Sequence, residues 1–110
     1  MNTTGFIRGY MAKNMSAEDF IKVVVTALSR EFEEEVKLEK TNDGKYLIAM
    51  DGYGITMSKK LIDDIKSPYG VDKYILEDFE KQGLIFDRTR SQYIQYCFGN
   101  YVGIKHGSWY

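Results

Sequence analysis

The sequence predicts an α+β fold, and three observations carry that reading. Residues 20–32 show apolar side chains at helical spacing, residues 36–50 alternate around a glycine turn, and residues 58–83 carry two further helical stripes. At 110 residues, with 44% apolar and 28% charged side chains, the chain suits one domain with its own core and does not suit a disordered segment.

Residues 1–14 contain Gly5 and Gly9 and no periodicity, which reads as a mobile arm, or a strand ordered only by contact with the body, ahead of a single domain over 15–110. Ser16 is placed to cap a helix, with Asp19 three residues on and Met15 and Phe20 at the hydrophobic-staple positions. Phe20, Ile21, Val24, Val25, Leu28 and Phe32 then recur at helical spacing. Val36 and Leu38 alternate with Lys37 and Glu39, Thr41-Asn42-Asp43-Gly44 supplies turn chemistry, and Lys45–Met50 resumes as a strand. Asp51-Gly52-Tyr53-Gly54 breaks the run before a short third strand, Ile55–Met57. Ser58 caps a short helix carrying Leu61, Ile62 and Ile65, Ser67-Pro68-Tyr69-Gly70 interrupts it, and a second helix runs from about Val71 to Gln82. Gly83 stands at the residue after that helix, with Leu84 positioned for a Schellman ending. Leu84–Phe86 and Gln92–Phe98 read as strands, and Gly99-Asn100 as a hairpin turn leading to Tyr101–Ile104. The expected architecture is an N-terminal helix and β-hairpin, two short helices, and a C-terminal antiparallel sheet.

Residues 55–98 resemble the winged-helix form of the helix-turn-helix. The pattern is strand, helix, turn, second helix, then Lys81-Gln82-Gly83-Leu84-Ile85 leading into a two-stranded wing. The resemblance implies a second helix in the major groove and a wing on the backbone, with Lys73, Arg88 and Arg90 as the DNA contacts. The same helix carries Asp72, Glu77, Asp78 and Glu80, which would meet phosphates. Such scaffolds also bind proteins.

Catalytic patterns are sparse. Gly52-Tyr53-Gly54 matches neither nucleotide-binding glycine spacing; Glu35-Val36-Lys37 has the form found on nuclease strands, but such sites need a further acid on a neighbouring strand and the segment before it reads as helix. Asp63 and Asp64 are adjacent, so a helix points them in different directions. His106 is the only histidine, and Cys97 sits in an apolar run, so no nucleophilic constellation assembles. The single cysteine allows no internal disulfide and suits a reducing compartment. No run approaches the ~18 apolar residues of a membrane span, and no signal-peptide pattern opens the chain. The expectation is a cytoplasmic, non-enzymatic protein with no cofactor, metal or membrane partner.

Two features favour a binding role. Residues 31–58 hold seven acids against three bases, with Glu31, Glu33, Glu34 and Glu35 at the end of the first predicted helix, where the macrodipole prefers cations. Nine tyrosines, six phenylalanines and one tryptophan are a large aromatic load, and Tyr93, Tyr96, Trp109 and Tyr110 concentrate it near the C-terminus. These residues are expected to dock a protein with a basic surface, such as a nucleic-acid-processing enzyme, with DNA as the alternative partner. Small phage or mobile-element inhibitors of bacterial defence enzymes, including anti-CRISPR proteins, share this profile of size and charge.

Overall fold

The computed structural model describes residues 3–99. Its order is α1 (Thr3–Asn14), α2 (Ala17–Phe32), β1 (Val36–Lys40), β2 (Tyr46–Met50), β3 (Tyr53–Met57), α3 (Lys59–Ile65), α4 (Gly70–Gln82) and α5 (Gln92–Phe98). The three strands form one antiparallel sheet in the order β1-β2-β3. The α+β class follows from the sequence as expected.

Local chemistry sets the element boundaries. Ser16 Oγ accepts from the Asp19 N–H at 3.1 Å and starts α2, and Ser58 Oγ accepts from the Leu61 N–H at 3.0 Å and starts α3. Gly44 N–H donates to the Thr41 carbonyl at 3.0 Å and closes the first hairpin. Asp51 and Gly52 both take positive φ, 48° and 83°, and form the two-residue turn that sets Met50 against Tyr53. The third strand therefore begins at Tyr53, and Tyr53-Gly54 belongs to it instead of breaking the chain. Gly83, at φ 117°, ends α4; its N–H reaches Glu80 O at 3.1 Å and the Leu84 N–H reaches Phe79 O at 3.0 Å, the two bonds of a Schellman motif.

The strand period of two sorts the sheet into two faces. Val36–Met50–Tyr53, Leu38–Ile48–Ile55 and Lys40–Tyr46–Met57 form cross-strand rows on the inner face. Phe20, Ile21, Val24 and Leu28 of α2, and Ile75, Leu76 and Phe79 of α4, are fully buried in one core with Ile48 and Met57. Each such side chain contributes on the order of 1.5–3 kcal/mol by leaving water. On the other face Lys37, Glu39, Gly54 and Thr56 are exposed.

Two segments depart from expectation. Residues 3–14 form a helix, not an arm or a strand, because Arg8 is buried against Asp72 of α4 and Lys66 Nζ donates to the Met15 carbonyl at 2.6 Å just past the helix end. Residues 92–98 form α5, not a strand. Ser91 Oγ caps it through the Ile94 N–H at 3.1 Å, and Gly99 ends it through its N–H to Gln95 O. A helix resolves the problem of an apolar run with two apolar faces: Ile94 and Cys97, one turn apart, enter the core, and Tyr93 and Phe98 flank them half-buried. Leu84–Phe86 forms no strand, so no wing is present among the described residues, and Gln92–Phe98 is a helix where a strand was expected. Asn100, the Tyr101–Ile104 strand, His106, Trp109 and Tyr110 lie outside the described residues.

Candidate functional site

The glutamate cluster divides into an inward and an outward part. Glu31 turns inward. Its carboxylate holds Arg90 Nε at 2.8 Å and accepts from Ser91 Oγ at 2.8 Å, and its side chain is only 10% exposed. It ties α2 to the start of α5 and is not free for a partner. Glu33, Glu34 and Glu35 are exposed and make no salt bridge among the described residues. Their knuckle is shaped by Glu33 in the left-handed conformation and by Ser29, whose Oγ donates to Glu34 O at 2.7 Å and whose carbonyl accepts from the Glu34 N–H at 3.3 Å.

This knuckle lies beside the β2–β3 turn. Glu34, Glu35 and Asp51 line one open concavity of about 470 Å³ with Lys37 and Tyr53. Three carboxylates thus face one ammonium, and the local field is negative.

Of the four aromatic residues expected to dock a partner, Tyr93 and Tyr96 lie among the described residues. Tyr93 is inside: its hydroxyl donates to Asp72 Oδ2. Burial first, and the Asp72 charge second, push its pKa well above the usual tyrosine range. Tyr96 packs its ring on Tyr69 at 5.5 Å between centroids, and Tyr69 meets Tyr93 edge-on at 6.1 Å. Tyr69 and Tyr93 pack against the core, and Tyr96 is half-buried against Tyr69. Their neighbour Cys97 is buried, and burial, then Asp72, raises its thiol pKa, which removes it as a ready nucleophile.

The residues expected to touch DNA are also largely engaged. Arg88 pairs with Glu80 at 2.8 Å and lies 4.1 Å from the centroid of Phe98. Arg90 pairs with Glu31 and lies 4.8 Å from the centroid of Phe32. Lys73 is exposed on α4. Comparison of the chain with protein families, with characterised proteins and with solved structures finds no match.

Sequence reasoning missed a second concavity and the polar group beneath it. Lys22, Val23, Thr26, Ala27 and Arg30 recur at helical spacing along α2 and wall a groove of about 520 Å³ with Met15, Tyr69 and Tyr93. Under it, Arg8 donates through both terminal nitrogens to both Asp72 oxygens at 2.8 Å and to Pro68 O at 2.7 Å. Burial alone would lower the Arg8 pKa, but the hydrogen bond and charge of Asp72 overcome it and hold the guanidinium charged. The Tyr69 hydroxyl is buried here with no partner among the described residues, and its pKa is pushed up to about 12. The signal that could have located this network was Asp72 itself, a lone carboxylate between Val71 and the apolar positions Ile75 and Leu76 of an amphipathic helix. Among the described residues no group of three His, Cys, Asp or Glu side chains is placed to hold a metal, and no helix is long and apolar enough to cross a membrane.

Proposed function

We propose that this protein is a non-enzymatic binding module that docks Glu33, Glu34 and Glu35, with Asp51 beside them, onto a basic surface of a protein partner. The observation that carries the reading is the exposed left-handed knuckle, which presents adjacent carboxylates without a neutralising ion pair among the described residues. Unpaired like charges are unfavourable to the fold and favourable to a cationic partner, for which they raise the association rate. A nucleic-acid-processing enzyme offers such a basic surface, and occupying it would inhibit that enzyme. Glu31, Tyr93 and Arg90 serve this module by holding α5 against α2 and α4, not by touching the partner.

Capture from bacterial lysate, followed by binding kinetics on the captured protein, tests the reading. Glu33→Lys/Glu34→Lys/Glu35→Lys, with Glu31 kept, is expected to slow association and flatten its salt dependence. Unchanged kinetics in this variant reject the acidic docking surface. Tight binding of duplex DNA with a steep salt slope would reject it in favour of a DNA-binding role.

A further inference from the structure

The two edges of the sheet are not equivalent. On β3, Gln82 Nε2 donates to the Gly54 carbonyl at 2.8 Å, and Gln82 Oε1 accepts from the Gly54 N–H at 3.2 Å. The side-chain amide stands where the peptide of a neighbouring strand would stand, and the β3 edge is closed at its centre. On β1, the outward backbone groups meet no hydrogen-bond partner among the described residues.

Alternation identifies those groups. Gly54 turns both its groups outward, so Ala49–Gly54 is a non-hydrogen-bonded pair, and Met50–Tyr53 and Ile48–Ile55 exchange bonds. Ala49 and Leu47 therefore bond toward β1, to Lys37 and Glu39. The Thr41 N–H bond to Lys45 O at 2.8 Å has the same parity. Val36, Leu38 and Lys40 are left with N–H and C=O facing out.

We propose that this edge pairs with β1 of a second copy, antiparallel about a two-fold axis at Leu38, joining two three-stranded sheets into one continuous sheet. The register is self-complementary. Leu38 meets Leu38 of the second copy, and Val36 meets Lys40 twice; each of these pairs exchanges two backbone hydrogen bonds. Lys37 faces Glu39 of the second copy, and Glu39 faces its Lys37. Both charge pairs fall at non-hydrogen-bonded positions, where cross-strand side chains approach most closely, and both lie on the open face. Sliding the register two residues toward the C-terminus sets Glu39 against Glu39, a like-charge pair at a close position. Sliding it two residues the other way sets Lys37 against Lys37, again a like-charge pair. A one-residue slip misplaces the faces.

Lysines on an edge normally discourage pairing. Here Lys40 is held by Glu18 at 3.6 Å within its own chain, and Lys37 is answered by Glu39 of the second copy. The charges that repel an arbitrary strand thus select this one.

Sedimentation equilibrium over a concentration series tests the proposal, with folding checked by circular dichroism. The wild-type chain is expected to pass from monomer to dimer as concentration rises. Glu39→Lys or Lys37→Glu alone turns two attractive pairs repulsive and is expected to raise the dimer dissociation constant about tenfold or more. The charge swap Lys37→Glu/Glu39→Lys is expected to restore it, and an equal mixture of the two single variants is expected to form a heterodimer. Amide exchange gives an independent readout: Val36, Leu38 and Lys40 gain protection with concentration, while Lys37 and Glu39 are protected throughout. A chain that stays monomeric to its solubility limit overturns the proposal. So does a dimer indifferent to the charge variants, or edge amides whose protection is independent of concentration.

Discussion

The guanidinium of Arg8 in α1 and the carboxylate of Asp72 in α4 face each other through two parallel hydrogen bonds of 2.8 Å, with 6% and 0% of their side chains exposed. Their separation of 64 residues makes this pair the principal polar tie between the first helix and the body. Arg8→Ala leaves a buried carboxylate supported, among the described residues, only by Tyr93 and is expected to cost about 3–5 kcal/mol, less whatever is recovered by release of α1. Arg8→Met/Asp72→Leu removes both charges and is expected to be more stable than either single change. Urea denaturation of the four proteins checks both statements, and amide exchange in α1 reports its release.

Glu31 and Arg90 form a second tie, between α2 and the start of α5. The Arg90 side chain is 39% exposed, so solvent screening limits the pair, and Glu31→Ala is expected to cost only about 1 kcal/mol. Glu34→Ala is expected to leave stability within about 0.5 kcal/mol of the wild type. Thermal denaturation separates the inward glutamate from the outward one.

Glu33 occupies the left-handed region at φ 52°, where a Cβ is disfavoured. Glu33→Gly is expected to stabilise the fold by about 0.5–1 kcal/mol. Gly83→Ala, at φ 117°, should destabilise by at least about 1 kcal/mol. Paired denaturant curves with unchanged m values would verify the opposite signs.

Cys97 is buried, and its thiol pKa is raised by burial and by Asp72. The thiolate fraction at mildly alkaline pH is therefore lower than for a free cysteine. Labelling with an aromatic disulfide reagent is expected to be slow in the native protein and to reach the free-thiol rate in denaturant. Fast native labelling would contradict the placement of α5.

Tyr69 has its pKa pushed from 10.0 up to about 12, chiefly by burial. Its hydroxyl is the neutral form, so a raised folded value means that the folded state holds its proton more tightly. The associated stability is fully present below pH 10 and is lost as pH rises through about 12. Denaturation midpoints across that window, followed with tyrosinate absorbance, are expected to fall, and Tyr69→Phe is expected to flatten the fall.

The parts of the fold legible in the sequence are those fixed by neighbours in the chain. Ser16 and Ser58 cap helices through bonds to residues three positions on, and the Thr41–Gly44 turn and the Gly83 ending are equally local. The same reasoning could have found α5, since Ser91 and Gly99 bracket it as a cap and a left-handed stop. An apolar hexapeptide satisfies strand and helix patterns alike, and only those flanking residues distinguish them. The acidic knuckle was readable as a cluster, but not its division.

The sequence alone determined the α+β class, the caps and turns, and the amphipathic faces of α2 and α4, because these depend on spacing and on bonds closed within a few residues. Tertiary structure decided which polar side chains are free. Glu31, Arg88, Arg90 and Tyr93 look alike available in a linear chain, yet each is engaged by a partner 8 to 60 residues away. Tertiary structure likewise decided that Gln82 closes one sheet edge while β1 leaves the other open. Such pairings depend on packing geometry that no local pattern encodes.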